Sequence, residues 1–100
     1  MPEFPLGTLT MTKGVSDYVS TPNADGVLDL APCKAIGDAV ARHMRGDWGV
    51  VCDEDKALND EALVTGERLH SVYDLPDGKR VWVITEWDRS VTTVLFPEEY

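Results

Sequence analysis

The residue types best suited to chemistry in this chain are Glu86, Asp88 and Arg89, which lie close together near the C-terminus. Two neighbouring carboxylates can divide the roles of general acid and general base. No nucleophile motif, glycine-rich phosphate loop or metal-ligand spacing accompanies them. A turn in which Asp88 and Arg89 form local hydrogen bonds accounts for the same residues, and we favour that interpretation. We therefore predict no catalytic residues and a protein that is not an enzyme.

The histidines and cysteines offer little more for chemistry. His43 and His70 belong to no recognisable Ser/His/Asp or Cys/His arrangement, so we expect a cation at a helix C-terminus and a strand-surface residue. Cys33 and Cys52 could join both histidines in a zinc site, but the sequence has no CxxC or HxxxH pair. We expect two free, buried thiols, as is usual in a reducing compartment, and we predict neither a metal nor another cofactor.

The densest group of charges in the chain is acidic. It comprises Asp53, Glu54, Asp55, Asp60 and Glu61, is flanked by Asp47 and Glu67, and contains Lys56 as its one base. Such a group is usually the solvated face of a helix together with its capping residues. Alternatively, regularly spaced carboxylates can occupy a site that a basic partner uses for phosphates. The sequence leaves both interpretations open.

Several aromatic residues could serve either the core or an interface. Trp48 lies between Gly46 and Gly49, a pattern that indicates a tight turn with the indole laid on the core. An exposed aromatic anchor at an interface is the alternative, because tryptophan is enriched at interface hot spots. Trp87 adjoins the turn at Asp88, and the C-terminal residues 96–100 (FPEEY) either tuck an aromatic ring against the sheet or form a docking tail.

Length and composition define a broad class. A chain of 100 residues with 43% hydrophobic and 27% charged residues is typical of one globular domain, which we place at residues 1–100. No apolar run is long enough to span a bilayer, and no signal peptide is apparent, so a cytoplasmic location is expected. The net charge of −9 disfavours direct binding to nucleic acid or to an anionic membrane, because like charges repel.

The C-terminal third predicts a meander of three antiparallel strands. Residues 67–74, 81–84 and 91–96 are rich in β-branched and aromatic types, and Asp77-Gly78 between the first two is a strong hairpin signal. Residues 4–11 predict a further strand at the sheet edge, because Pro5 lacks a backbone donor.

The remaining segments predict helices. Residues 12–19 suggest a short helix capped by Thr12, and residues 21–26 a turn-rich loop. Residues 32–45 carry Cys33, Ile36, Val40 and either His43 or Met44 at helical spacing. Residues 54–65 follow the potential cap Asp53, with Leu58, Ala62 and Thr65 on one side. We predict an α+β fold: an antiparallel sheet with two to three helices packed on one face.

Three segments together resemble a known family: residues 4–7 (FPLG), 42–49 (RHMRGDWG) and 85–100 (TEWDRSVTTVLFPEEY). They are similar to small cytosolic "plasmid-related" proteins of bacterial plasmids and integrated mobile elements, some labelled type I restriction subunits. The pattern departs from the family between Ser20 and Ala31. A methyltransferase role does not fit, since the chain has no glycine-rich cofactor loop. The resemblance implies a mobile-element setting, in which small acidic proteins disarm host restriction or CRISPR systems.

From these observations we expect a non-enzymatic, acidic binding protein that inhibits a host nucleic-acid-processing complex, in the manner of a DNA mimic. Its partner would be a host protein, or a protein–nucleic-acid complex, with a basic surface, and the chain itself would be a monomer or homodimer. The alternative is an accessory adaptor that docks through exposed aromatics. The residues expected to contact the partner are Asp47, Trp48, Asp53, Glu54, Asp55, Asp60, Glu61, Glu86, Trp87, Asp88 and Arg89.

Overall fold

The fold pairs a four-stranded sheet with three helices, as seen in a computed structural model that describes residues 5–20, 22, 26–27 and 30–100. In chain order the elements are β1 (Thr8–Met11), α1 (Lys13–Ser20), α2 (Ala31–Met44), α3 (Asp53–Thr65), β2 (Leu69–Asp74), β3 (Arg80–Thr85) and β4 (Val91–Leu95), followed by a 3₁₀ turn at Pro97–Glu99. The predicted α+β class is confirmed. Most of the loop predicted at 21–26, and Phe4 of the predicted first strand, lie outside the described residues.

The three C-terminal strands form the predicted meander. β2 pairs antiparallel with β3, with Ser71 opposite Val83, and β3 pairs antiparallel with β4, with Val83 opposite Val94. Gly78 adopts a positive φ of 88° in the β2–β3 turn, where a residue with a side chain would be strained. The turn chemistry therefore acts as the sequence indicated.

The first strand overturns one expectation about the sheet. β1 lies at the edge, as predicted, but it runs parallel to β4, so the sheet is mixed rather than antiparallel. Thr8 donates its N–H to the Ser90 carbonyl and Thr12 donates to that of Val94, at 2.8 and 3.1 Å. No hairpin turn connects β1 to its neighbour, so nothing local in the sequence sets the direction of this pairing.

One face of the sheet carries the main core. Val15 of α1, together with Ile36 and Val40 of α2, packs against Tyr73, Val81, Val83 and Val94 of the strands. These strand residues alternate with positions on the other face, as the period of two requires. The apolar stripe predicted for α2 is buried at Ile36, Val40 and His43, whereas Cys33 is exposed.

The cysteines differ from expectation. Both are free thiols, but Cys33 and Cys52 are exposed rather than buried. Cys33 lies in the first turn of α2, and Cys52 flanks the N-terminus of α3. Both positions are at helix ends rather than in the middle of a packed face.

The cap predicted for α1 forms in a different way. The Thr12 hydroxyl donates to the Glu99 carboxylate at 2.6 Å, and that carboxylate also accepts the Gly14 N–H, at 2.9 Å. The hydrogen bond from Thr12 is the main reason why the pKa of Glu99 is lowered. The C-terminal turn thus supplies the cap of the first helix. In addition, the Tyr100 ring lies edge-on to Trp82 on the second face of the sheet.

The outer edge of β2 is closed without a further full strand. The Asn59 side chain of α3 donates to the His70 carbonyl at 2.8 Å and accepts the His70 N–H at 3.1 Å. Val72 bonds in the same way to the backbone of Trp48 and Val50. α3 therefore lies along this edge. Its inward residues are Asn59 and Ala62, whereas Leu58, which the sequence placed on the packed side, is 59% exposed.

Within the described part of the chain, no helix is both long enough and apolar enough to cross a membrane.

Candidate protein-binding surface

The inward position of Asn59 and Ala62 turns the opposite side of α3 to solvent. Four acidic residues occupy that side: Asp53, Glu54, Asp60 and Glu61, which we call the carboxylate face. Asp53 and Asp60 are seven residues apart, as are Glu54 and Glu61. Seven residues make almost two helical turns, so each pair projects in nearly the same direction, about 10 Å apart. The helix thus holds four carboxylates in two rows.

No ion pair among the described residues neutralises the carboxylate face. The described ion pairs join Lys13 to Asp17, Lys34 to Asp38, Arg42 to Asp47, Arg68 to Glu86 and Arg80 to Asp74. None of these pairs involves α3. Asp60 accepts a hydrogen bond from the Trp48 indole N–H at 2.9 Å, and it is the one member of the face with a described side-chain partner.

Asp55 is separated from the other acids of α3. It lines a pocket of about 240 Å³ between α3 and β2, together with Asn59, Arg68 and His70. Asp55 precedes Asn59 by four residues, which places it on the inward side of the helix. The structure therefore brings together four of the five carboxylates that the sequence grouped on this helix.

Asp47 and Trp48 have structural roles. The Arg42 guanidinium donates two hydrogen bonds to the Asp47 carboxylate, at 2.7 and 3.2 Å, and lowers its pKa. Trp48 is only 3% exposed and packs with Ala62 and Leu69. The expectation that its indole lies on the core is confirmed, and Trp48 cannot serve as an exposed anchor.

The β3–β4 turn, residues 86–90, holds the remaining predicted residues. Glu86 lies 4.0 Å from the Arg68 guanidinium, and Asp88 accepts hydrogen bonds from the Ser90 N–H and hydroxyl at 3.1 and 2.6 Å. The two carboxylates therefore have separate partners, as in a structural turn. The Arg89 guanidinium reaches beyond the turn and donates to the Ala62 carbonyl of α3 at 3.0 Å and to the Glu67 carbonyl at 2.7 Å. Trp87 is 68% exposed.

A buried chain of hydroxyl groups around His43 was not predicted. His43 Nδ1 lies 2.5 Å from the Ser71 hydroxyl and Nε2 lies 2.9 Å from that of Thr85. The chain continues to Thr92 at 2.7 Å and ends where Thr92 donates to the Leu6 carbonyl at 2.7 Å. A carbonyl can only accept, so Thr85 donates to Thr92, Nε2–H donates to Thr85, and Nδ1 accepts from Ser71.

His43 is therefore neutral, and the expectation of a helix C-terminal cation is wrong. Burial, with smaller effects of His70 and Arg89, lowers its pKa to about 3. The Ser71–His43 contact has the atoms of a nucleophile–base pair, but both side chains are fully buried. A substrate has no access to them in this conformation. Serines and threonines are common on the exposed faces of strands, so the sequence carries no signal for this series of hydrogen bonds.

Within the described residues, no group of three or more His, Cys, Asp or Glu side chains is arranged to hold a metal ion.

Val64, which was not among the predicted residues, is 88% exposed on the same side of α3 as Asp53, Asp60 and Glu61. Its position on the helical repeat, four residues after Asp60, is the signal that could have identified it.

The carboxylate face and residues 86–90, which we call the Trp87 turn, are the two candidate protein-binding features of the described residues. No protein-family model, no curated protein and no solved structure matches this chain.

Proposed function

We propose that this chain is a non-enzymatic binding protein that occupies a basic, nucleic-acid-binding surface of a host defence complex and thereby inhibits it. The observation that carries the proposal is the carboxylate face: four acids in two rows on one exposed helix side, with no described ion pair. A surface that binds phosphates presents arginine and lysine side chains, and carboxylates complement the same cations.

The distribution of positive charge supports this proposal. Of the nine bases in the chain, five pair with acids elsewhere on the molecule, and Arg89 donates to backbone carbonyls. On α3 itself, five acids stand against the single base Lys56, which gives this helix a net charge of −4. If solubility were the only role of this charge, acids scattered over the surface would serve equally well.

A triple variant tests the role of the carboxylate face. Asp53→Asn, Glu54→Gln and Glu61→Gln together remove three negative charges and spare Asp60, which holds Trp48. The matched control removes three negative charges outside α3 and outside the described ion pairs: Asp25→Asn, Asp77→Asn and Glu98→Gln. Circular dichroism should show that both variants fold, although the first two changes weaken the interaction with the helix dipole by roughly 0.3–1 kcal/mol each.

The readout is phage plating on a panel of bacterial strains, each of which carries one restriction or CRISPR system. We expect the wild-type chain and the control to raise plating on at least one strain, and the α3 triple variant to lose most of that effect. Full inhibition by the folded triple variant would overturn the carboxylate mechanism. If no strain responded to the wild-type chain, the proposed function itself would be wrong.

The salt dependence of binding to a responsive complex separates this proposal from the adaptor alternative. Contacts between exposed charges weaken steeply as salt is raised, because the screening length falls to about 3 Å at 1 M. Binding that persists at high salt and fails on aromatic substitution would favour docking through aromatics instead.

A further inference from the structure

The Trp87 turn is exposed, but several hydrogen bonds from Arg89 hold its backbone in place. Arg89 adopts a positive φ of 61°, and its N–H donates to the Glu86 carbonyl at 2.9 Å. Its guanidinium donates to the carbonyls of Ala62 and Glu67, with longer contacts to those of Glu86 and Trp87. These bonds join the turn to the C-terminal end of α3. The backbone that carries Trp87 is therefore held in place before any partner arrives.

The Trp87 side chain has no comparable restraint. Trp48 is buried, and Trp82 lies against the rings of His70 and Tyr100. In the described part of the chain, no ring contact and no side-chain hydrogen bond involves the Trp87 indole, which is 68% exposed. A rigid backbone that presents an exposed tryptophan lowers the entropic cost of using that ring in an interface.

The charges around the turn indicate which partner group this ring would meet. The side chains of Glu67 and Asp88 are exposed, and hydrogen bonds from Ser90 lower the pKa of Asp88. The nearby cations are already engaged, since Arg68 faces Glu86 and the Arg89 guanidinium points to backbone carbonyls. The turn region therefore presents exposed carboxylates, and the cations closest to it in the described contacts are already engaged, so an arriving cation would be attracted to it.

We infer that Trp87 is an anchor that receives an arginine side chain of a basic partner protein against its indole face, in the turn that Arg89 joins to the C-terminal end of α3. Guanidinium is planar and weakly hydrated, so it stacks on an aromatic ring better than an ammonium group does. Arg89 acts as a positioning residue that holds the turn against α3. This inference rests on the proposed function and specifies the chemistry of the partner.

The test uses nuclear magnetic resonance titrations of the full chain with three decapeptides. In the first, arginine alternates with glycine; in the second, lysine replaces arginine; in the third, neutral citrulline replaces it. We expect the Trp87 indole N–H resonance, assigned by its loss in Trp87→Leu, to shift saturably with the arginine peptide. It should shift less with the lysine peptide and hardly at all with the citrulline peptide.

Substitutions at Trp87 give the size of the effect. Trp87→Leu should weaken binding of the arginine peptide about two- to fivefold, which is the range for an exposed cation–π contact. Trp87→Phe, which keeps a ring, should fall between Trp87→Leu and the wild type. A dispersed amide spectrum for each variant establishes that it is folded.

The α3 triple variant separates failure of this inference from failure of the proposed function. If Trp87→Leu binds the arginine peptide as tightly as the wild type while the triple variant binds it more weakly, the anchor is wrong and the carboxylate face stands. If the triple variant keeps full affinity while Trp87→Leu loses it, the proposed mechanism fails and the anchor stands. Unchanged affinity in both variants overturns both.

Discussion

At the scale of single residues, the hydrogen-bonded series of side chains around His43 shows how the interior of this protein is specified. A neutral imidazole links α2 to β2 and β3, and two threonines extend the link to the Leu6 carbonyl. Every polar group in this series has a hydrogen-bond partner, which is the condition under which buried polar groups favour one arrangement over its competitors. The sequence left the inward position of α2 open between His43 and Met44; the structure buries His43, and in its neutral form.

The suppressed protonation of His43 predicts a loss of stability in mild acid. The unfolded chain takes up a proton near pH 6.5, whereas the folded chain does so only near pH 3. Between these values the unfolded state binds more protons, so stability falls as the pH falls. Linkage gives a loss of about 2 kcal/mol from pH 7.5 to pH 5. Urea unfolding at both pH values measures it.

Two variants assign this loss to His43. His70 also has a pKa lowered chiefly by burial, so it contributes with the same sign, and His70→Asn should remove only a smaller part of the pH dependence. His43→Gln should remove most of it. In the wild type, the ring-proton resonances of His43 should not titrate between pH 7.5 and pH 4.5 while the protein is folded. Ordinary titration of His43 near pH 6.5 would show that its imidazole is not buried in the hydrogen-bonded arrangement described above.

At the scale of elements, α3 shows where prediction from sequence succeeds and where it stops. Its end at Gly66, in the left-handed conformation with φ of 82°, was predicted from the residue type. The side of α3 that faces inward was not predicted correctly, because the helix contacts the sheet edge through Asn59 rather than through an apolar stripe. An amide that replaces the missing strand partner has no periodic signal in a sequence.

A pair of alanine substitutions on α3 tests this orientation. Asn59→Ala leaves the His70 N–H and carbonyl without partners at a site where Asn59 is 5% exposed, so it should cost about 2 kcal/mol. Leu58→Ala, at an exposed position, should cost less than about 0.5 kcal/mol. Urea unfolding gives both values, and faster hydrogen exchange of the His70 amide in Asn59→Ala would localise the effect. A larger cost for Leu58→Ala would favour the helix orientation predicted from the sequence.

At the scale of the whole molecule, the pattern of strands and helices predicted the fold class and composition predicted the acidity, but neither predicted how the elements or the acids are arranged. The three-strand meander follows from local turn signals, whereas the parallel β1–β4 pair joins residues more than eighty positions apart. Likewise, the count of acids says nothing about which of them share a face. Only the packing of α3 against β2 sets Asp55 apart from the carboxylate face, and only the fold joins the Trp87 turn to the C-terminal end of α3 through Arg89.

This arrangement of charge should have a measurable cost for the folded state. Four carboxylates on one helix side repel one another, and the net charge of −9 adds a general repulsion. Salt screens such repulsion, and the five exposed ion pairs that it also weakens contribute little each. We therefore expect the free energy of unfolding to rise when sodium chloride is raised from about 0.01 M to about 1 M.

The two charge variants decide whether this repulsion is concentrated on α3. Each removes three negative charges, so a repulsion that depended on net charge alone would be reduced equally in both. If the carboxylate face is its main source, the gain in stability with salt should shrink more in the α3 triple variant than in the matched control. Urea is the suitable denaturant, since guanidinium chloride is itself a salt. An equal reduction would show that the acids of α3 carry no special electrostatic cost, which would weaken the argument that they are retained for binding.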